Sequence, residues 1–472
     1  MSLVSNRPRV AGLALSAVLA LQLMLTLDAQ VMTVALPAVQ SELGFTAASL
    51  SWVPNAYALA FGGLILLGGR LGDAFGRVRV FSIGTIVFML GSLLGGLALD
   101  PVVLIAARIL QGVGAAVAAP SVLALIATMA KDEAARAKGL AWFTAISAIG
   151  SSAGLILGGL LTDLLSWRWG LLINVPVGIV VIATVIKLIN ESDRHRARAF
   201  DVSGAIFASL ASAGTVWAFI FAGENGWGTP GTLAFFALAV ALVATLVVIE
   251  RRSASPLVAI HLLKDTPRVG ALVNMGLVVG ANFAMLFFIV QFLQRVLEFG
   301  PLLAGLAFLP LTVTVFIVTR WVPGIVARFG ARLPLVVGGA LVTASFLLWA
   351  PLAENASYVA VAVPLIVHAL GVALIFTAGT ITAMAAVPEA DTGSASGMLQ
   401  MVQQVGGSIG IAVAVSVYAT GAVEGQFMPG FVGAMLTGAV LAVIATIVAI
   451  FTVEGSKSEP EGTTQPTIAT HA

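Results

Sequence analysis

Two ionisable side chains sit where ionisable side chains are expensive. Asp28 lies deep in an apolar run that continues to Leu36, and Arg108 stands inside another that extends from about 102 to 130. A charge in hydrocarbon costs at least about 2.5–3.5 kcal/mol, so each needs a partner or a purpose. Burial favours the neutral form of a carboxylate and a nearby cation favours the ionised form. An acid balanced between the two loads and releases a proton as its surroundings change. Arginine keeps its charge and biases such an acid without changing itself. A static Asp28–Arg108 pair that only pins two helices fits the same residues, and the two readings are compatible. Gln111, Gly112 and Ala115 share the helical face of Arg108.

A second charged feature is the glycine-punctuated stretch from Gly69 to Arg79, which holds Arg70, Asp73, Gly76 and Arg77 between two apolar runs. So short a connection forces two antiparallel neighbours, and its cations mark it as cytoplasmic. Asp73 is not required for that topology and reads as a charge contact at the inner mouth of something that moves. Gly150, Gly154 and Gly158 recur at a spacing of four, with Gly159 beside them. Such a face lets a neighbouring backbone approach closely. Gly150-Ser151-Ser152-Ala153-Gly154 also matches the serine-hydrolase elbow, but that chemistry needs a strand-to-helix turn and a nearby histidine. His368 is the single histidine inside an apolar segment, where hydrogen-bonded packing is the simpler reading. Asp163 and Arg168 read as a solvated pair at the outer ends of their segments.

The elements that position these residues follow from composition. The chain has 472 residues, 59% hydrophobic and 9% charged, with a mean hydropathy of +1.07. Soluble folds carry about 25% charged residues, so this is an integral membrane protein along nearly its whole length. The net charge of +2 comes from cations in short loops and makes no nucleic-acid-binding stripe. The absence of cysteine excludes disulfides and thiolate chemistry. Arg7 and Arg9 precede an apolar stretch that imitates a signal peptide. Its continuation past Asp28 fits a first span better. Fourteen apolar segments are legible. Cations crowd alternate loops at Arg70, Arg77, Arg79, Lys131, Arg136, Lys187, Arg251, Arg252 and Arg328, while the opposite loops hold Arg168 and Arg295. Both termini are therefore expected in the cytoplasm.

The expected organisation is all-α: an N-terminal six-helix bundle (1–190), a two-helix insertion (191–252), a C-terminal six-helix bundle (253–453) and a disordered cytoplasmic tail (454–472). Arg328-Phe329-Gly330-Ala331-Arg332 weakly repeats the opening hairpin, with Ala327 in the place of Asp73. Two such halves around a midplane cavity are the layout of many secondary transporters. No phosphate-binding loop occurs, so the energy source is a gradient and no cofactor or metal is expected.

With these pieces in place, the chain resembles the major facilitator superfamily, and within it the fourteen-span drug:proton antiporters. Gly69, Leu71, Asp73, Gly76 and Arg77 match the inner-loop signature, with Ala74 in place of the usual cation. The run from Arg108 to Ala116 is similar to the family's fourth-span motif. Leu27-Asp28 with Val34-Ala35-Leu36-Pro37, and Trp167-Arg168-Trp169 with Asn174-Val175-Pro176-Val177-Gly178, resemble the fourteen-span branch. Gln30 and Thr33 depart from that branch. The antiporter motif keeps Gly150, Gly154, Gly158 and Gly159 but has Leu155 where the proline belongs.

The resemblance implies export of hydrophobic or cationic drug-like compounds in exchange for protons, by alternating access in a bacterial cytoplasmic membrane. Asp28 and Arg108 would couple the proton, and Gly69, Arg70, Asp73, Gly76 and Arg77 would form the inner gate. Gln30, Trp52, Asn55, Tyr57, Phe287, Gln291, Gln294, Gln403 and Gln404 are the candidate substrate-binding residues, because amides and aromatic rings suit amphipathic ligands. Export of one specific metabolite, a non-transporting sensor on the same fold and an uptake symporter are the alternatives. The partners expected are a small molecule, protons and the bilayer, with a monomeric chain and no nucleic acid.

Overall fold

The computed structural model describes residues 8–130, 132–190, 202–253, 260–387, 392–423 and 426–453. The first half of the chain forms α1 (Pro8–Leu43), the short α2 (Ala47–Leu50), α3 (Trp52–Phe75), α4 (Arg77–Gly96), α5 (Pro101–Met129), α6 (Glu133–Leu164), α7 (Trp167–Leu172) and α8 (Asn174–Leu188). A pair follows, α9 (Val202–Asn225) and α10 (Pro230–Arg252). The second half forms α11 (Thr266–Arg295), α12 (Pro301–Leu306), α13 (Leu309–Val318), α14 (Val322–Phe329), α15 (Arg332–Trp349), α16 (Tyr358–Met384), α17 (Thr392–Gly421) and α18 (Met428–Thr452). No strand occurs among the described residues.

Twelve of these stretches are, over the described residues, long and apolar enough to cross a membrane. They include Trp167–Leu188 and Pro301–Val318, each taken as one stretch. α3 and α6 are not among the twelve, and both contain side chains outside the described set. The apolar surface is turned outward: Leu233, Leu238, Val240, Val243, Val247 and Val248 of α10 are all exposed. In water such a surface is untenable, whereas in a bilayer it is the expected exterior.

Proline explains where helices break. Pro176 has no N–H to give Leu172, and the chain turns at Ile173 between α7 and α8. Pro310 and Pro323 open the joints on either side of α13 in the same way. Two connections are reduced to almost nothing. Gly76 alone separates α3 from α4, at φ 102°, and Gly330 follows α14 at φ 76°. L-residues rarely adopt either angle, so the repeated hairpin is fixed by glycine at the same step.

One apolar core lies within α1, α3, α4, α5 and α8 and includes Phe81, Phe88 and Val122. A larger one fills the second half and continues into the last part of α1, where Met32, Val34 and Leu36 join Phe287, Phe288 and Phe292. The halves are therefore joined at the end away from Gly76. α9 packs against both α3 and α17, while α10 leans on α9.

Candidate functional site

Asp28 is brought to Arg108 by the crossing of α1 and α5. The Arg108 Nη1 donates to Asp28 Oδ2 at 2.6 Å, and both side chains are at most 1% exposed. Gln111 Nε2 and Asn174 Nδ2 donate to the other carboxylate oxygen at 2.9 and 2.8 Å. The same two amides reach Ser92 Oγ at 2.7 and 3.2 Å. Arg108 is held from its far side as well. Its Nε donates to the Val53 carbonyl at 3.2 Å, its Nη1 to Gln111 Oε1 at 2.7 Å, and its guanidinium lies 4.5 Å from the Tyr57 ring centroid. An ionised carboxylate only accepts, and Asp28 accepts from three donors. The charge is thus compensated inside the bundle, as a buried ion must be.

Local sequence builds this centre. Arg108 and Gln111 are one helical turn apart and face the same neighbour. Close approach depends on glycine. A Cβ at Gly91 would lie 2.7 Å from the Gln111 nitrogen, and one at Gly112 would lie 2.5 Å from the Tyr57 carbonyl oxygen. The turn at Ile173 presents Asn174 as the first residue of α8. Asn174 and Ser92 were not singled out from sequence as members of the site. Asn174 lies in a matched motif, whereas Ser92 carries no signal, since small hydroxyl residues are common in tightly packed spans.

The glycine face of α6 lies on α1 directly beside Asp28. Gly150 faces Leu23 and Thr26; a Cβ at Gly154 would lie 2.7 Å from Gln30 Cβ, and one at Gly158 would lie 2.6 Å from Val31 Cα. Gly159 faces the other half instead, against Pro301 and Leu302 of α12, and Gly305 of α12 packs on the Leu155 carbonyl. α6 is continuous through Leu155 and through the serine-hydrolase-like stretch, so no elbow is present.

The hairpin residues are placed as follows. Gly69 faces Pro120 and Gly72 faces Ser121, both on α5. The Arg77 Nη1 donates to the Ala124 carbonyl at 3.3 Å. The side chains of Arg70 and Asp73 lie outside the described residues.

Two cavities lie between the halves. One, of about 90 Å³, is lined by Gln30, Thr33, Tyr57, Phe283, Phe287 and Gln404, with Arg108 at its edge. The other, of about 180 Å³, lies nearer the Gly76 hairpin and is lined by Gln22, Thr26, Tyr57, Phe61, Phe143, Gln400 and Gln404. The remaining predicted contacts are elsewhere. Trp52 packs on Trp217 of α9 at 5.6 Å between ring centroids. Asn55 is fully buried without a partner for either amide atom. Gln291 donates to the Phe287 carbonyl of its own helix, and Gln403 lines neither cavity.

Gln294 instead ties the halves together, donating to the Val34 carbonyl at 2.9 Å, and the adjacent Arg295 donates to Gln40. Both contacts lie at the ends of α1 and α11 away from Gly76. Arg168 is paired with Glu42, not with Asp163, because Trp167 Nε1 also donates to Glu42 and fixes it across the same corner.

The family model described as Major Facilitator Superfamily matches residues 18–411. The chain is 36% identical to the MFS-type transporter EfpA of Mycobacterium tuberculosis, over 85% of this chain and 76% of that protein. It is 37% identical to the puromycin resistance protein pur8 of Streptomyces alboniger, over 84% and 79%. It is 36% identical to the cephamycin export protein CmcT of Amycolatopsis lactamdurans, over 84% and 82%. In fold it is similar to the POT family transporter PepTSo, with a TM-score of 0.69 at 15% identity, covering 94% of this chain and 98% of that one. The nucleoside transporter NupG gives a TM-score of 0.64, also at 15% identity, covering 94% and 100%. With the family model spanning most of the chain and these relatives matched over more than four fifths of it, the chain belongs to the Major Facilitator Superfamily.

Proposed function

We propose that this chain is a proton-coupled exporter of drug-like amphipathic compounds that works by alternating access in a bacterial cytoplasmic membrane. The observation that carries this reading is the Asp28 centre: a carboxylate saturated by three donors yet next to a cavity between the halves. Protonation converts one accepting oxygen into a donor. It cancels the charge that holds Arg108 and loosens α1 against α5 and α8. The similarity to the puromycin resistance protein pur8 and the cephamycin export protein CmcT supports a drug as the cargo.

In this reading α3 and α6 also cross the bilayer, which brings the spans to fourteen. The division is six (1–190), two (191–252) and six (253–453), with 454–472 as a cytoplasmic tail outside the described residues. The Gly76 face is cytoplasmic, together with both termini. Gly69, Arg70, Asp73, Gly76 and Arg77 gate that face, and no cofactor is needed. The halves meet at the opposite face through Gln294 and Arg295, so the cavities belong to a state that receives cargo from the cytoplasm. Each cavity is smaller than the ~300–1,000 Å³ of ligand pockets. A drug-sized ligand therefore needs both cavities and a further parting of the halves.

The test is a substrate-dependent pH change in proteoliposomes across a compound panel. Asp28→Asn abolishes it while leaving the fold intact, and full coupling in that variant removes Asp28 from the mechanism.

A further inference from the structure

We infer that the cargo is a neutral amphipath with a hydrogen-bonding group such as a hydroxyl, not a lipophilic cation; this rests on the exporter reading. The two cavities between the halves present one chemistry. Gln22, Thr26 and Gln30 follow each other at a spacing of four along α1, and Gln400 and Gln404 do so on α17. Tyr57, Phe283 and Phe287 supply the apolar walls. Among the described residues no carboxylate lines either cavity.

Among the described residues the one charged side chain there is Arg108, which is paired with Asp28. Asp28 does not line the cavities, although its neighbours Ala29 and Gln30 do. Its oxygens are directed at Arg108, Gln111 and Asn174 and it is 1% exposed. Arg108 and Asp28 cancel each other, so a cation entering here meets no net counter-charge, and aromatic faces alone offer it only weak compensation.

The amide of Gln30, a residue that lines the cavity, is unmatched: its Oε1 is buried and has no hydrogen-bond partner. A polar group left unpaired is costly, and a ligand that hydrogen-bonds to this amide lowers that cost. The α1 stripe beside it is otherwise engaged: Gln22 Nε2 donates to Ser147 Oγ at 3.0 Å and Thr26 Oγ1 to the Gln22 carbonyl at 2.9 Å. Gln30 is therefore the specificity-determining residue, and its amide, donor and acceptor in one group, pairs with a hydrogen-bonding group on an uncharged ligand.

The experiment uses four probes of nearly equal size on the purified full chain in detergent: triphenylmethanol, triphenylmethane, methyltriphenylphosphonium and triphenylacetate. Equilibrium binding places triphenylmethanol about tenfold or more ahead of the phosphonium and several-fold ahead of triphenylmethane, since discrimination is a difference of affinities. Gln30→Leu removes the margin of triphenylmethanol over triphenylmethane. Gln30→Asp puts a carboxylate in the cavity and raises phosphonium affinity by about tenfold.

Tighter binding of the phosphonium or triphenylacetate by the natural chain overturns the inference. So does equal binding of triphenylmethane and triphenylmethanol, or no binding of any probe above empty micelles. Proteoliposomes separate this from the exporter reading. Proton movement on adding the phosphonium, and none with triphenylmethanol, keeps the exporter and overturns the cargo class. A binding preference for triphenylmethanol without proton movement for any probe keeps the class and overturns the exporter.

Discussion

The α4–α5 crossing in the first half and the α15–α16 crossing in the second are built alike and charged differently. Gly84 follows the hairpin glycine Gly76 by the same eight residues that separate Gly338 from Gly330. A Cβ at Gly84 would lie 2.8 Å from the Gly114 carbonyl oxygen, and one at Gly338 would lie 2.7 Å from the Gly371 carbonyl oxygen. Counted back from these partners, Gln111 corresponds to His368 and Arg108 to Leu365. The first half uses its crossing to hold Asp28 on Arg108 and Gln111. The second half has only neutral groups at its crossing: His368 meets Ser345 at 3.0 Å and Asn282 of α11 at 3.2 Å. The same helix geometry thus carries an ion pair on one side and a neutral hydrogen-bond chain on the other. A proton can change the charge of the first and has no carboxylate to act on in the second. Under the proposed proton coupling, the first half is the part that responds, and the second is the body it moves against.

The comparison breaks most readily at Arg108. Arg108→Leu gives the first half the residue that the second half has at Leu365. It leaves Asp28 buried with two amides and no cation. Losing one partner of a buried pair costs about 3–5 kcal/mol, far more than the pair itself contributes. Unfolding in mixed micelles with a denaturing detergent should show a loss of that size. Adding Asp28→Asn removes the stranded charge and restores most of the stability, without restoring proton movement. A single variant as stable as the natural chain would mean that Asp28 does not depend on Arg108.

A smaller effect separates packing from coupling. Gly114→Ala pushes a methyl into the Phe88 backbone, and Gly371→Ala puts one 2.5 Å from the Gly338 carbonyl oxygen. Overpacking of this kind costs about 1–3 kcal/mol, and the two variants should lose similar stability. Gly114→Ala also displaces Gln111, one turn away, and so lowers substrate-driven proton flux. Gly371→Ala leaves the protons moved per substrate unchanged. Equal loss of coupling in both would place the second half in the proton mechanism.

How much of this was legible in the sequence depends on the length scale of the cause. Asp28 and Arg108 stood out because a charge in an apolar run is conspicuous by itself. The glycine face of α6 was legible through its spacing, and the Gly330 echo through its hairpin. Ser92 and the Val53 carbonyl were not, because their role exists only once α1, α4, α5 and α8 have packed. Gln294 and Gln404 are the same residue type in comparable surroundings, yet one ties the halves and the other lines a cavity. That difference is set by the crossing of α11 with α1, which no local pattern encodes. Sequence proximity pairs Arg168 with Asp163, while its partner in the structure, Glu42, arrives from another helix.

The smallest expected effect is the sharpest test of asymmetry. Ser345 Oγ has one proton and lies 2.6 Å from the Val342 carbonyl, which can only accept. The hydroxyl therefore gives its proton to Val342, and His368 Nδ1 must donate to Ser345. A neutral ring then accepts at Nε2, so the Asn282 amide turns its NH₂ toward it, an orientation assigned from the network. His368 is fully buried, among Phe346 and Trp349, without a carboxylate among its hydrogen-bond partners. It is a neutral tie between α11, α15 and α16. His368→Gln keeps an amide in its place and costs about 1 kcal/mol, the net worth of an ordinary hydrogen bond. The pH profile of proton-coupled transport stays where it is in the natural chain. A profile displaced by this substitution would place a second titrating site in the second half, and the division of labour between the halves would be lost.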